Sequence, residues 1–139
     1  MMTLPYPPSI NHYWRNFRGR MVISREGRAY REDVGARLAT AGQGGKPPHD
    51  GGIALAMDAF PPDRRRRDLD NIQKPLLDAL EHAGMYEDDS QIDVLLTQRR
   101  DVTPGGQVIV RIAPLPLGLC LLCGAPMYAS DRNRTINLN

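Results

Sequence analysis

The stretch RRRRDLDNIQK at residues 64–74 places four arginines directly against two aspartates that are one residue apart. A solubility patch would intersperse its charges, and an ion-pair network would not require a carboxylate pair. Two carboxylates about 4 Å apart repel each other by roughly 4 kcal/mol at an effective dielectric constant near 20. The pattern therefore indicates two missing external charges: a cation for the aspartates and an anion for the arginines.

Four aspartates and one lysine are the candidates for this chemistry. Asp68 and Asp70 point the same way if their stretch is extended, and Asp70 is predicted to be the N-cap of a helix that presents Lys74 one turn later. Asp88 and Asp89 follow that helix in a turn, and a return of the chain would bring them beside the first pair. Oxygen ligands with no nearby His or Cys favour Mg²⁺ or Mn²⁺ over zinc. Such an ion beside Lys74 is suited to phosphodiester hydrolysis.

Each of these residues also has a purely structural interpretation. Asp70 can act only as an N-cap, Asp88 and Asp89 can form a turn, and the arginines and Lys74 can be solvated surface residues. Taken singly, each structural interpretation is the simpler one. The combination of DxDN, a lysine at helical spacing and an acidic pair that ends 15 residues after Lys74 favours a functional site.

The helices and strands that must position these residues are predicted from hydrophobic periodicity and from the residues that end helices and strands. Ser24 is the expected N-cap of the first helix, and Gly84 the expected stop of the second, in which Pro75 is tolerated if it lies in the first turn. The last two strands, separated by TPGG, are predicted to form a hairpin. The order β, β, α, β, α, β, β describes an α/β domain of α+β character with a small mixed sheet and two main helices. The predicted strands cover 3–8, 21–23, 53–60, 91–100 and 107–114, and the helices about 25–40 and 70–83.

Length and composition bound the class of protein. The 139 residues suit one domain, and the apolar and charged fractions of 41% and 24% are those of a soluble globular protein. No apolar run is long enough for a membrane span, and the N-terminus lacks the layout of a signal peptide. We therefore expect a cytoplasmic protein.

Positive charge is concentrated in the first half of the chain. Residues 1–67 hold 12 Lys and Arg against 6 Asp and Glu, whereas residues 68–139 hold 6 against 10. Nearly all the basic residues are arginines, whose planar fork suits bidentate phosphate contacts. A nucleic-acid partner follows from this distribution.

With these residues in place, the sequence resembles the RusA family of Holliday-junction resolvases. Three blocks carry the resemblance, which covers about residues 3–113: LPYPPSINHYWR, PPDRRRRDLDNIQKPLLDAL and GMYEDDSQI. The second block is the most specific, because it combines the arginines, DxDN, the lysine and an apolar helix stripe. Members of that family are homodimeric, Mg²⁺-dependent endonucleases that cut two opposed strands of a four-way DNA junction.

The resemblance implies a role for each residue of the motif. Lys74 would support charge at the scissile phosphate, and Asn71 would orient the acidic loop. A dimer suits the reaction, because a junction has two equivalent strands and a two-fold axis offers two identical sites. The implied catalytic residues are Lys74 and the aspartates that ligate the metal: Asp68, Asp70 and Asp89, with Asp88 adjoining as a further ligand.

DNA contacts are expected from the arginine block and from the N-terminal stretch. The arginines would contact phosphates, and the aromatic side chains would stack on unpaired bases at an opened crossover. Packing in the core or at the dimer contact is the alternative for the aromatic residues, and for Trp14 the two are equally favoured. The expected contact residues are Arg64, Arg65, Arg66, Arg67, Asn71, Asn11, Tyr13, Trp14, Arg15, Arg18 and Arg20.

The last residues, 115–139, lose both periodicities and are predicted to be an irregular appendage to a domain of residues 1–114. Cys120 and Cys123 form half of a zinc-knuckle pattern, and no Cys or His follows Gly124. Two cysteines build neither a disulfide framework nor a complete zinc site, so zinc is not expected.

The predicted function is Mg²⁺-dependent resolution of four-way junctions by paired, symmetric hydrolysis, in recombination, repair or phage DNA processing. Two alternatives stay open. One is a less selective nuclease acting on flaps, forks or single strands. The other is a non-catalytic junction-binding dimer whose acidic residues hold a structural ion. A pure protein–protein module leaves DxDN, Lys74 and the acidic turn unexplained.

Overall fold

The structure is a computed structural model that describes residues 1–43 and 51–115. These residues form a four-stranded sheet, a two-stranded hairpin and three α-helices. In chain order the elements are β1 (Met2–Pro5), α1 (Ile10–Tyr13), β2 (Trp14–Phe17), β3 (Arg20–Ile23), α2 (Arg25–Thr40), β4 (Ile53–Phe60), α3 (Asp70–His82), a 3₁₀-helix (Asp89–Gln91), β5 (Ile92–Arg99) and β6 (Gln107–Pro114).

The most apolar strand occupies the centre of the sheet. Seven of the eight residues of β4 are buried. The strand order is β1-β6-β4-β5, in which β4 and β5 are parallel and the other neighbours are antiparallel. A strand that is apolar on both faces reads as a continuous hydrophobic run, because neither face meets water. The predicted small mixed sheet is confirmed, and β1 is the edge strand expected from its prolines.

The predicted hairpin between the last two strands is wrong, because β4 lies between β5 and β6. The residues after β5 bond to the end of β4 instead of turning back. The amide of Arg100 donates to the carbonyl of Ala59 at 2.8 Å, and the amide of Thr103 donates to the carbonyl of Pro61 at 2.9 Å. The backbone groups of a buried central strand need partners along both edges, and β5 and β6 supply one edge each.

The two long helices and the sheet enclose the hydrophobic core. The predicted apolar stripes of α2 and α3 are buried, and they pack against alternate residues of β4 and β6. This core includes Tyr30, Val34 and Leu38 from α2, Ile72, Leu76 and Leu80 from α3, and Leu55, Met57, Val108 and Val110 from the sheet.

Helix α3 has nearly the predicted bounds. It ends where Gly84, with φ of 75°, allows the amides of Gly84 and Met85 to bond to the carbonyls of Glu81 and Leu80, which is the glycine-dependent helix stop. Two predictions about the start of α3 are wrong. The N-cap is Leu69, and Asp70 is the first helical residue. Pro75 lies in the second turn, where a proline leaves the carbonyl four residues earlier without a helical amide.

The N-terminal stretch contains two elements that the sequence did not predict, α1 and β2. β2 pairs with β3, and their turn uses the left-handed conformations of Arg18 and Gly19. The predicted N-cap Ser24 is confirmed: its side chain accepts from the amide of Gly27 at 2.9 Å, and its own amide donates to the carbonyl of Tyr13 at 2.8 Å. These bonds fix α1 and the hairpin against the start of α2.

Two sequence predictions fall outside the described residues. The appendage predicted for 115–139 is described only at Leu115, and Cys120 and Cys123 lie beyond it. Within the described ranges, no helix has the length and apolar character needed to cross a membrane.

Candidate active site

The loop before α3 is shaped by an internal ion pair. Arg67 donates to both carboxylate oxygens of Asp63, at 2.5 and 2.9 Å, and the Asp63 carboxylate also accepts from the amide of Arg65. These bonds hold the pKa of the Asp63 carboxyl well below its usual range. The carbonyl of Arg67 accepts from Arg99 of β5. Arg67 therefore has a structural role in the loop, whereas Arg64, Arg65 and Arg66 are exposed.

Asp68 and Asp70 are exposed at the start of α3. The backbone of Leu69 between them is helical, with φ −66° and ψ −35°, so the extended arrangement predicted for the pair is wrong. Asn71 links the two aspartates instead. The backbone amide of Asn71 donates to Asp70 Oδ1 at 3.0 Å, and its side-chain Nδ2 lies 3.5 Å from Asp68 Oδ2. An orienting contact of Asn71 in the acidic loop is what the resemblance implied.

Lys74 forms the centre of a cluster of charges on α3. Its Nζ lies 2.8 Å from Asp78 Oδ1, one turn further along the helix, and 2.7 Å from Asp89 Oδ2. Hydrogen bonds to Asp78 and Asp89 raise the pKa of Lys74 well above its usual range. Lys74 therefore stays fully charged at neutral pH.

The acidic turn returns to α3 through Asp89, which contacts Lys74. The turn forms a 3₁₀-helix whose first residue is Asp89, and this places the carboxylate against Lys74. An α-helix rises about 1.5 Å per residue, so Lys74 lies roughly 6 Å along the axis from Asp70. The approach of Asp89 to Asp68 and Asp70 themselves stays a prediction.

Asp88 has a local partner that explains its position. It is the N-cap of the 3₁₀-helix: its side chain accepts from the amide of Ser90 at 2.8 Å, and Gln91 returns the contact to the backbone of Asp88. The hydrogen bonds from Ser90 lower the pKa of the Asp88 carboxyl. The structural interpretation of Asp88 as a turn residue is thus supported, and metal ligation by Asp88 stays a prediction.

Two further acidic residues belong to the cluster and were not predicted. Carboxylate oxygens of Asp78, Glu81 and Asp89 lie within 4.8 Å of one another. Burial raises the pKa of Glu81, and the neighbouring carboxylates, with Asp89 the strongest, raise it further. The spacing of Asp78 and Glu81 after Lys74, at helical intervals of four and seven residues, was the available signal.

The hairpin of β2 and β3 carries the N-terminal arginines that were expected to contact DNA. Arg15, Arg18 and Arg20 are exposed. Phe17 is 49% exposed near the turn, and the guanidinium carbons of Arg15 and Arg18 each lie 5.3 Å from the centre of its ring. The hairpin therefore presents a basic surface with an aromatic side chain at its end.

The other N-terminal candidates differ from one another in exposure. Tyr13 is fully buried in the core, so its predicted stacking on DNA is wrong: its ring fills the space beside α2. Trp14 is half-buried and packs edge-to-face on Tyr13, with ring centroids 5.4 Å apart. Asn11 is exposed in α1, which Ser9 caps.

The match to a family model agrees with this fold and site. Residues 5–113 match the model described as Endodeoxyribonuclease RusA. The match covers most of the chain, so this protein belongs to the RusA endodeoxyribonuclease family, and the resemblance found in the sequence is confirmed.

Individual relatives are similar over nearly their whole length. Proteins named crossover junction endodeoxyribonuclease RusA include that of Escherichia coli, which is 41% identical over 118 residues. Those of Shigella sonnei and Enterobacteria phage 82 are each 42% identical over 118 residues. Each of these alignments covers 82% of this chain and 93% of the relative.

Proposed function

We propose that this protein is a crossover junction endodeoxyribonuclease that hydrolyses phosphodiester bonds in four-way DNA junctions. The observation that carries the proposal is the contact between Lys74 and Asp89, which joins the acidic turn to the helix that DxDN begins. This contact lies inside the part of the chain that matches the family, residues 5–113. The contact therefore joins the second and third blocks of the motif.

The donor atoms of the site suit a hard divalent cation. The carboxylates of α3 and the acidic turn outnumber the single ammonium of Lys74, and carboxylate oxygens of Asp78, Glu81 and Asp89 lie within 4.8 Å of one another. Oxygen donors of this kind match Mg²⁺, with Mn²⁺ as a substitute. A bound ion of this class supplies an activated water and stabilises charge on the phosphate. The residues proposed to hold it are Asp68, Asp70 and Asp89, with Asp88 adjoining.

The role proposed for Lys74 follows from its position. Its Nζ contacts two carboxylates, which favour the charged ammonium over the neutral amine that a general base requires. Lys74 instead acts as a fixed positive charge beside the scissile phosphate, where it offsets the negative charge that develops in the transition state. Asp78 and Asp89 hold its Nζ in place.

Two basic surfaces are proposed to position the DNA. Arg64, Arg65 and Arg66 adjoin Asp68, and the hairpin supplies a second group with Arg15, Arg18 and Arg20. Contacts of arginine with phosphates fix register and orientation without reading sequence. Asn11, Trp14 and Asn71 are proposed as further DNA contacts beside these surfaces.

We propose that the active form is a homodimer in the cytoplasm of a bacterium or of a phage-infected cell. A junction presents two equivalent strands, and a two-fold dimer offers one site to each. Chromosomal and phage DNA undergo recombination in that compartment. Size-exclusion chromatography with light scattering measures the dimer directly.

Cleavage of an end-labelled four-way junction with Mg²⁺ tests the function. We expect paired, symmetric nicks in the junction and none in a linear duplex of the same sequence. Asp70→Asn should bind the junction without cutting it, and Asp101→Asn, which changes an exposed aspartate after β5, should cut normally. Equal cleavage of flaps or single strands would indicate a less selective nuclease. Binding without cleavage by the unchanged protein in Mg²⁺ and Mn²⁺ would indicate a structural ion.

A further inference from the structure

A cavity of about 690 Å³ opens beside Asp68, on the side of α3 that faces α2. Its walls come from the loop after β1, from α1, from α2, from the loop that leads into α3, from the start of α3 and from the loop before β6. Asp68 and Asn71 line this cavity and also belong to the acidic motif. The cavity therefore adjoins the site at which the scissile phosphate is proposed to lie.

Charged side chains of both signs line the cavity. Glu26 and Asp33 of α2 and Asp68 supply carboxylates, and Arg66 and Arg67 supply guanidinium groups. Arg67 already donates to both carboxylate oxygens of Asp63, and one oxygen of Asp33 accepts from Arg37 at 2.8 Å. The remaining carboxylate oxygens can accept from the N–H groups on the edge of a nucleobase, and Arg66 can contact a phosphate of the same strand.

The remaining wall is apolar and partly aromatic. Tyr6, Pro7 and Pro8 line the cavity from the loop after β1. Tyr30 of α2 and Ile72 of α3, which are both buried, also line it. Flat apolar side chains are the surfaces on which unpaired bases stack in proteins that bind opened nucleic acid. The volume also lies in the range of roughly 300–1,000 Å³ that is usual for small-molecule sites.

We propose that this cavity receives an unpaired nucleobase next to the scissile phosphate of the bound strand. The inference rests on the proposed function, because the strand must lie across Asp68. Extruding a base costs least where pairing is already broken, and the crossover of a four-way junction is such a point. The base would stack on Tyr6 and the prolines while Glu26 and Asp33 accept from its edge.

Filling the cavity provides the test. Ala29 is exposed on α2 and lines the cavity, so Ala29→Phe occupies the space of the base without disturbing the core. Ala36→Phe is the matched control, because Ala36 is exposed on the same helix and lines another surface. Ala29→Leu replaces Ala29→Phe if that variant does not fold, since leucine is the stronger helix former.

The readout is the fluorescence of 2-aminopurine placed on either side of the scissile phosphate, which rises when the base leaves the stack. It is measured in the Asp70→Asn background with Mg²⁺, and cleavage is measured with Asp70 intact. We expect a several-fold rise at one position for the parent and for Ala36→Phe. For Ala29→Phe we expect no rise, and cleavage slower by about tenfold or more.

Three outcomes would overturn the inference. A fluorescence rise for Ala29→Phe equal to that of Ala36→Phe would exclude the cavity as the base site. Normal junction cleavage by the parent, with no rise at either position, would exclude base extrusion while leaving the proposed function intact. No cleavage of junctions by the parent would overturn the proposed function and this inference together.

Discussion

Lys74 and Asp89, 15 residues apart in the chain, are joined by a hydrogen bond of 2.7 Å from Nζ to Oδ2. The same Nζ lies 2.8 Å from Asp78, so one lysine connects α3 to the turn that precedes β5. The ammonium of Lys74 offsets the repulsion between the two carboxylates that it contacts. The position of this ammonium is therefore set by two elements of the fold and not by the helix alone.

Asp89→Asn should reduce the rate of junction cleavage by at least about a hundredfold. The substitution removes a proposed metal ligand and weakens the contact that holds Lys74. Single-turnover cleavage measures the rate, and a gel shift should show unchanged binding. Asp88→Asn is the matched variant: the side-chain oxygen of asparagine still caps the 3₁₀-helix, so the thermal midpoint and the cleavage rate should both stay close to those of the parent. If Asp88→Asn proves as inactive as Asp89→Asn, Asp88 is itself a ligand.

Asp78→Asn should lower the single-turnover rate by about 10- to 100-fold while leaving junction affinity unchanged. Asp78 holds Lys74 from the helix side, and its loss lets the ammonium move toward Asp89. Thermal unfolding serves as the control, since an ion pair that is still partly accessible to water, as Lys74–Asp78 is, contributes little to stability. An unchanged rate would show that Asp89 alone positions Lys74.

Gly27→Ala should destabilise the fold by about 1–3 kcal/mol. A Cβ at this position of α2 would meet the carbonyl oxygen of Tyr13 at 2.7 Å and Ile23 Cγ2 at 2.8 Å. The matched control on the same helix is Gly35→Ala, whose Cβ meets nothing within 4 Å; it should stabilise by about 0.5–1 kcal/mol. Urea unfolding of both variants checks the difference, and equal effects would contradict the close contact between α1 and α2.

Asp58→Asn should cost about 1–2 kcal/mol of unfolding free energy at pH 7. Asp58 is the buried charge of β4, and its carboxylate accepts from Arg100 at 2.7 Å and from Arg111 at 2.6 Å. Burial acts to raise the pKa of Asp58, but the hydrogen bonds from Arg111 and Arg100 outweigh it and leave the pKa lowered.

The sign of this shift gives the pH dependence. Because the folded pKa is lowered, the contribution of Asp58 to stability is complete above the ordinary aspartate pKa of 3.8 and is lost as the pH falls through the folded value. The difference between the parent and Asp58→Asn, measured by urea unfolding, should therefore shrink below about pH 4. A difference that is constant from pH 7 to pH 3 would show that the ion pairs do not stabilise the fold.

Local patterns predicted much of the fold. The bounds of α2, β4 and α3 follow from apolar periodicity, from Ser24 and from Gly84, because these signals act within a few residues of one another. Strand pairing is different, because each pairing depends on which other strands compete for the same edge. The TPGG stretch suits a hairpin turn, yet the need of β4 for two partners separates β5 from β6.

The candidate site shows the same difference between residues found from local patterns and residues whose position depends on tertiary contacts. The motif pointed to Lys74 and Asp89, because the lysine and the acidic turn are separated by one helix and its stop. Asp78 and Glu81 were missed, since a carboxylate on an amphipathic helix is usually a solvated residue. Tyr13 was assigned to the surface because neither α1 nor its contact with Gly27 is visible as a periodic pattern.

The strand order also makes the first strand depend on one that is synthesised about a hundred residues later. β1 pairs with β6, so its edge stays open until the last strand of the described residues has left the ribosome. The acidic motif is complete at Asp89, but the core still lacks Val108 and Val110, and β4 has an open edge. Pairings this distant in sequence form late. A chain that ends before residue 107 therefore contains the acidic motif and Lys74 but lacks the strand that joins β1 to β4.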